Sequence, residues 1–215
     1  MIYAISDVHA HTNLYFKFKK TLKEDDTVYV LGDVIDKGDG TLDVLIDILK
    51  DKRFYLLLGN HEQMMLDYLN RPGIWEKYQR WCINNDGEKT LYHFQGLSIK
   101  EQKFITDHLF MLPIQLDMKI GDNNILLSHS YCKEIGSEVH WNIDEIWQTR
   151  RVWIRNIPSY VNNRIVINGH TPVQYINYFY LSPNGEDKTH KIFRARRENG
   201  DMWIDIDCGL AINDG

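Results

Sequence analysis

The sequence is poor in cysteine, and the few cysteines it has are not arranged in pairs. Cys82, Cys132 and Cys208 are an odd number, and no two of them form a CxxC motif. This usage argues against a disulfide framework and predicts free thiols, as found in reducing compartments. A cytoplasmic location is therefore expected.

Long apolar runs and an excess of positive charge are also missing. No apolar run approaches the roughly 20 residues that a membrane helix requires. The opening residues MIYAISDVHA lack the basic and apolar segments of a signal peptide. The formal net charge is -5, which provides no basic surface for a nucleic-acid polymer. We therefore expect neither a membrane partner nor a nucleic-acid polymer as partner.

The remaining composition is that of a soluble globular protein. With 215 residues, 43% hydrophobic and 26% charged, the chain is predicted to form a single domain over residues 1–215. The first third is predicted to contain a strand at 2–6, a helix at 14–23, a strand at 27–31, a helix at 41–50 and a strand at 54–58. This alternation predicts a layered α/β fold.

The rest of the chain divides into a helical part and a β-rich part. Residues 63–112 have a helical, aromatic-rich pattern with a capping box from Ser98 to Glu101, and they predict a helical insert beside the cleft. Further elements are predicted as strands at 114–120, 124–127 and 164–167, a helix at 142–151, and antiparallel strands at 173–181, 190–195 and 201–206. No internal repeat interrupts this order.

Polar side chains follow five of the predicted strands, at the points where the strands end. In the central example, an apolar run stops at Gly32-Asp33, and a second carboxylate, Asp36, follows three residues later. In α/β sheets the carboxyl ends of the strands are where ligands bind. The polar residues at the five strand ends are Asp7, His9, Asp33, Asn60, His129 and His170. They predict two metal sites that share one carboxylate.

The types of ligand indicate the chemistry of these sites. Imidazole, carboxylate and amide ligands without thiolate favour catalytic Mn, Fe or Zn over a structural zinc cluster. Two divalent cations carry a charge of about +4, and the carboxylates of Asp7 and Asp33 contribute about -2. A bridging hydroxide would leave a net charge of about +1 at the site. Such a pocket suits a dianionic phosphate, and it lowers the pKa of a bridging water.

The order and spacing of the motifs resemble the calcineurin-like metallophosphoesterases, and within them the phosphoprotein-phosphatase type found in bacteria and phages. The family pattern DxH, GDxxDRG, GNHE, a later H and GH stands here at residues 7–9, 32–38, 59–62, 128–129 and 169–172. Asn84 to Gly87 with Thr90 resembles the family's NGG segment more loosely. The resemblance covers nearly the whole chain and implies a four-layered α/β/β/α sandwich.

The resemblance also implies which residues hold the metals. The implied ligands are Asp7, His9 and Asp33 for the first metal, and Asp33, Asn60, His129 and His170 for the second. The implied cofactors are two divalent cations, chiefly Mn²⁺, with Fe²⁺ or Zn²⁺ as alternatives.

Four further residues receive roles from the resemblance. His61 would be the general acid that protonates the leaving oxygen, and Asp36 would orient it and keep it protonated. Lys37 and Arg155 would bind the phosphate oxygens. Lys37 stands where the family has arginine, so it supplies a point charge without the bidentate fork. Arg155 rests on a short W-x-R match, and a surface ion pair is its alternative role.

The activity implied is hydrolysis of a phosphomonoester by direct attack of a metal-bridging hydroxide, in a monomeric enzyme. The expected substrates are phosphoserine or phosphothreonine in proteins or peptides, with phosphotyrosine as an additional substrate. The alternative is a hydrolase of diadenosine polyphosphates or another nucleotide, because the GHTP segment at 169–172 is shared with that branch. Trp75 or Trp81 would then stack on a base. A binding module that has lost catalysis is a third hypothesis, which the complete ligand set disfavours.

Overall fold

The computed structural model describes residues 1–130, 153, 161–179, 192–196 and 200–212. The first strands, β1 (Ile2–Ile5), β2 (Thr27–Val30) and β3 (Phe54–Leu56), form a parallel sheet in that order. Parallel neighbours need a crossover connection, which α1 (Thr12–Lys19) and α2 (Asp43–Lys50) provide. Because all three strands run the same way, their carboxyl ends lie at one edge of the sheet.

The segment predicted to be helical is helical, and its first helix begins three residues before the predicted insert. Its helices are α3 (Asn60–Asn70), α4 (Trp75–Tyr78), a π-helical turn (Gln79–Ile83), α5 (Glu88–Gly96) and α6 (Ile99–Phe110). The capping box is confirmed, because the Ser98 hydroxyl accepts from the Glu101 amide at 3.3 Å and a Glu101 carboxylate oxygen accepts from the Ser98 amide at 3.0 Å. The boundaries of a single domain with an insert stay a prediction.

A second sheet contains the later strands in the order β4-β5-β6-β8-β7. Its strands are β4 (Gln115–Ile120), β5 (Asn123–Ser128), β6 (Ile165–Asn168), β7 (Phe193–Arg196) and β8 (Met202–Asp205). The pair β4 and β5 is the predicted antiparallel hairpin, while β5, β6 and β8 are parallel. The carboxyl ends of β5 and β6 therefore also lie at one edge.

The prediction of a strand over residues 173–181 is wrong. Residues Val173–Phe179 form a helix, α7, which begins directly after Pro172. Val173 and Ile176, three residues apart, pack with Val166 and Trp203 of the second sheet. The β-branched and aromatic residues in this run suggest a strand, but burial of one helical face against the sheet decides the conformation.

Three separate apolar clusters show that the molecule has four layers. The first cluster joins the inward faces of α1, α2, α3, α5 and α6 to the first sheet, and includes Val28 and Val30. The second joins α7 to the second sheet. The third lies between the sheets, where Tyr29 and Leu31 meet Ile125 and Leu127. Alternate residues of each strand point to opposite faces, so the predicted α/β/β/α sandwich is confirmed.

The state of the cysteines and the length of the helices bear on two other predictions, those of free thiols and of no membrane helix. Cys82 and Cys208 are free thiols, whereas Cys132 lies outside the described residues. Burial raises the pKa of Cys82 to about 12, so it stays a neutral thiol at neutral pH. Among the helices described, none is long and apolar enough to span a bilayer.

Candidate metal centre

The predicted ligands occupy loops whose backbone adopts an unusual conformation. Asp7, His9, Asp33 and His170 have φ values of 51°, 44°, 51° and 69°. Residues other than glycine rarely adopt this left-handed region, and each one costs about 1–3 kcal/mol, which contacts with the surrounding structure must offset. The loops after β1, β2 and β6 are therefore held in place by the rest of the fold.

Main-chain hydrogen bonds connect these loops to one another. The amide of His9 donates to the Asp33 carbonyl at 2.9 Å, and the amide of Gly169 donates to the His129 carbonyl at 2.8 Å. The Asp7 carboxylate accepts from the amide of His170 at 2.9 Å, which joins the first and second sheets at the site. The strand ends of both sheets consequently meet at one buried point.

The buried carboxylate of Glu62 holds the loop after β2 against the loop after β3. It accepts from the amides of Asp33 at 2.9 Å, Val34 at 2.8 Å and Gly59 at 3.1 Å. A Cβ atom at Gly59 would overlap Asp33, so only glycine permits this close approach. Sequence reasoning gave Glu62 no role, although its place in the GNHE motif was a usable signal.

Replacing Glu62 with glutamine is expected to lower the free energy of unfolding by about 2–3 kcal/mol, because an amide cannot replace a carboxylate that accepts from four backbone N–H groups. Metal affinity should fall by about 10- to 100-fold, since Asp33 loses its support. Urea denaturation and metal titration would measure the two effects.

Glu101→Gln is the matched control, because Glu101 accepts from a backbone amide at the exposed start of α6. It should leave metal affinity unchanged. Equal metal binding by the Glu62 variant and the control would contradict the assigned role of Glu62.

The structure brings all six predicted ligands together in a buried group, which we call the His/Asp centre. Its members are Asp7, His9, Asp33, Asn60, His129 and His170, each at most 3% exposed. Two sets of residues could each hold a cation: His9, Asp33 and His61, and Asp33, His129 and His170. Asp33 belongs to both sets, as a shared carboxylate would.

Distances between donor atoms fit small divalent cations. Nε2 of His129 lies 3.0 Å from Oδ1 of Asn60, 3.1 Å from Nδ1 of His170 and 3.4 Å from Oδ1 of Asp33. Ligand atoms that surround one cation at about 2.1 Å lie about 3 Å from each other. This set of atoms has the spacing of a coordination shell.

The orientations of two imidazoles also suit metal binding. Nδ1 of His129 lies 2.7 Å from the Leu31 carbonyl, and Nδ1 of His9 lies 3.2 Å from the Ile35 carbonyl. A histidine that donates Nδ1–H to a carbonyl presents an unprotonated Nε2, which is how many metal ligands are held. Burial lowers the pKa of His9 well below its usual value, and the charges of His61 and Lys37 lower it further.

Electrostatics point to cations as well. Burial raises the pKa of Asp33 well above its usual value, and the nearby charges of Asp7 and Glu62 add to the effect. Buried like charges are costly unless a cation compensates them. The residues therefore fit divalent cations.

His61 lies beside the centre and is hydrogen-bonded on its far side. Its Nε2 is 3.9 Å from Oδ2 of Asp33, while its Nδ1 is 2.7 Å from Oδ2 of Asp36. Burial raises the pKa of Asp36 to about 7, although hydrogen bonds from Thr90 and Trp81 oppose this rise. The predicted pairing of His61 with Asp36 is thus present, and it leaves Nε2 of His61 on the side of the centre.

The two predicted phosphate-binding residues are placed differently by the structure. Lys37 is half-buried beside the centre, has a φ of 67°, and lines an open cavity of about 500 Å³ with Asp36 and Thr90. Arg155 lies outside the described residues. From the same segment Trp153 is described, and its indole N–H donates to Gln63 of α3 at 2.9 Å.

Comparison with known proteins connects this geometry to a family. A bis(5′-nucleosyl)-tetraphosphatase (symmetrical) from Wigglesworthia glossinidia brevipalpis is 27% identical over 216 residues, which cover 88% of this chain and 72% of that protein. A solved structure described as a candidate diadenosine tetraphosphatase has a TM-score of 0.54 at 15% identity, covering 97% of this chain and 83% of its own.

A protein serine/threonine phosphatase from Saccharomyces cerevisiae covers 96% of this chain and 66% of its own, with 13% identity and a TM-score of 0.48. At these identities the structural similarities concern the fold alone. The sequence profile of the calcineurin-like phosphoesterases matches residues 1–204. The chain therefore belongs to the calcineurin-like phosphoesterase family of metal-dependent hydrolases.

Proposed function

We propose that the protein hydrolyses dinucleoside polyphosphates in a metal-dependent reaction. The observation that carries this proposal is the 27% identity, over 88% of the chain, to a bis(5′-nucleosyl)-tetraphosphatase. The buried His/Asp centre supports the broader chemistry, because its neutral imidazoles and few carboxylates would leave bound cations partly uncompensated. A polyphosphate supplies the missing negative charge.

In this proposal each residue has a defined task. Asp7, His9 and Asp33 hold one cation, and Asp33 with Asn60, His129 and His170 holds the second. When bound, the cations neutralise phosphate charge and lower the pKa of a water that serves as the nucleophile. His61 donates a proton from Nε2 to the leaving oxygen, and Lys37 contributes a point charge to the phosphate. Arg155 keeps its proposed role as a second phosphate-binding residue.

The position of one tryptophan corrects part of the nucleotide hypothesis. Trp81 is fully buried and donates its indole N–H to Asp36 at 2.8 Å, so it cannot stack on a base. Trp75 is 59% exposed and Tyr92 is 82% exposed. Tyr92 lines an open groove of about 700 Å³ along α5, which shares Glu88 and Lys89 with the cavity beside Lys37. A base would stack on one of these two exposed rings.

Hydrolysis of phosphoserine or phosphothreonine in proteins is the second candidate function. The buried pair of His61 and Asp36 favours it, with Nδ1 of His61 2.7 Å from the carboxylate. A general acid accelerates a reaction most when the leaving group is a poor one, and an alkoxide is poorer than a phosphate. The pair would therefore contribute more to hydrolysis of a phosphomonoester than to cleavage of a phosphoanhydride.

A substrate comparison distinguishes the two functions. Metal-stripped protein would be restored with Mn²⁺, Fe²⁺, Zn²⁺ or Mg²⁺ and assayed on diadenosine tetraphosphate, a phosphoserine/phosphothreonine peptide and a phosphotyrosine peptide. We expect kcat/KM to favour the dinucleotide by about tenfold or more, a difference of ~1.4 kcal/mol. A preference of that size for the peptides would establish the second function instead.

A further inference from the structure

The carboxylate of Asp36 is the meeting point of three helical elements. Nδ1 of His61, from α3, lies 2.7 Å from its Oδ2. The indole N–H of Trp81, from the π-helical turn, donates to the same oxygen at 2.8 Å. The hydroxyl of Thr90, from α5, donates to Oδ1 at 2.6 Å. All four residues are at most 2% exposed.

The placement of these donors fixes the direction of the carboxylate. Thr90 bonds one oxygen and Trp81 the other, so Asp36 cannot turn about its Cβ–Cγ bond without losing both contacts. Oδ2 is thereby aimed at Nδ1 of His61. A histidine whose Nδ1 is held in this way directs Nε2 into the His/Asp centre, where it lies 3.9 Å from Oδ2 of Asp33.

The backbone on either side of Trp81 accommodates its indole ring through a π-helical turn and a glycine. The π-helical turn that carries it is a rare geometry, often found at functional sites. The amide of Gly87 donates to the Trp81 carbonyl at 3.1 Å, and a Cβ atom at Gly87 would overlap the indole ring. The glycine of the NGG-like segment therefore makes room for the side chain that holds Asp36.

We propose that Trp81 and Thr90 are positioning residues that fix the Asp36 carboxylate and, through it, the imidazole that protonates the leaving group. The inference rests on the proposed phosphoester hydrolysis, with His61 as the acid, but not on which natural substrate is used. Neither residue touches the reacting atoms, so their substitution should alter proton delivery rather than phosphate binding.

The test uses Thr90→Val and Trp81→Phe, each of which removes one donor while conserving most of the packing. The full-length, metal-loaded enzyme would be assayed on aryl phosphates whose leaving groups range from good (p-nitrophenolate) to poor (phenolate). We expect kcat to fall by about tenfold for the poorest leaving group and less than about twofold for the best, with KM unchanged. Thr90→Ser should have the activity of wild type, because it keeps the hydroxyl that donates to Asp36.

Tyr15→Phe is the matched control, since the buried Tyr15 hydroxyl donates to the Asp47 carboxylate at 2.6 Å, away from the centre. Its rate relative to wild type should be the same for every leaving group. A loss in the Thr90 and Trp81 variants that is equal for all leaving groups would overturn the proposal, as would no loss. Hydrolysis of diadenosine tetraphosphate by the wild-type protein tests the proposed function separately, and its absence would overturn that function, whereas the comparison of leaving groups and the resonance described next test the positioning role.

If one variant fails to fold, the other still tests the proposal, and a second measurement is independent of rate. In zinc-loaded protein, the Nδ1–H proton of His61 should give a downfield NMR resonance because it is bound to a carboxylate. Thr90→Val should shift this resonance or speed its exchange, whereas Tyr15→Phe should not. If the resonance were unchanged in both Thr90→Val and Trp81→Phe, the positioning role of these two residues would be contradicted.

Discussion

Replacing Asp33 with asparagine is expected to lower kcat/KM by on the order of 10³-fold, equivalent to losing ~4 kcal/mol of charge stabilisation. Asp33 is the carboxylate shared by both cation sets, with its Oδ2 3.8 Å from Nε2 of His9 and its Oδ1 3.4 Å from Nε2 of His129. Asparagine keeps a similar shape but lacks the charge needed at both positions. Metal content by elemental analysis should fall below two ions per chain.

The same substitution should have opposite effects on stability with and without metal. In metal-stripped protein, Asp33→Asn should be no less stable than wild type, because it relieves repulsion from Asp7 and Glu62. With metal at a hundredfold its Kd, wild type should gain about 2.7 kcal/mol per site, and the variant much less. Thermal unfolding with and without added metal would measure this reversal.

Asp39→Asn provides the control, since Asp39 is an exposed carboxylate in the loop after β2 that accepts from Thr12 and Asn13 at 3.0 and 3.2 Å. It should retain activity and metal content. If Asp33→Asn instead bound two cations and turned over normally, the shared-ligand assignment would be wrong.

Replacing His61 with asparagine is expected to reduce turnover by about 10²- to 10⁴-fold for a substrate with a poor leaving group. The reason is that Nε2 of His61 faces the centre while Nδ1 is held by Asp36 at 2.7 Å, so this imidazole can deliver a proton to a leaving oxygen. Rates on alkyl phosphate, p-nitrophenyl phosphate and diadenosine tetraphosphate would be compared. The loss should be largest for the alkyl phosphate and smallest for the nitrophenyl ester.

His108→Asn is the control, because His108 is exposed on α6 and its Nδ1 lies 2.7 Å from the Phe104 carbonyl of its own helix. That variant should behave as wild type. A loss in His61→Asn that is the same for all three substrates would indicate a ligand or structural role for His61. A large loss on the dinucleotide would show that even a phosphate leaving group needs this acid.

Several elements were predictable because their determinants are local. The apolar run of β2, the hairpin of β4 and β5, and the capping box at Ser98 each depend on residues close together in the chain. Helix α7 was not predictable in this way. Its apolar residues suit a strand as well as a helix, and packing of Val173 and Ile176 on Trp203 selects the helix.

The candidate site likewise has features that the local sequence predicts and features that depend on tertiary packing. By itself, the sequence determined the residue types that can bind a cation and their positions at strand ends, because strand, turn and polar residue follow one another within each motif. Only the tertiary structure decided that Glu62 supports Asp33, and that Trp81 is a buried donor to Asp36 instead of a platform for a base. Those contacts join residues 29 and 45 positions apart in the chain, and their directions depend on how the helices pack against the sheet.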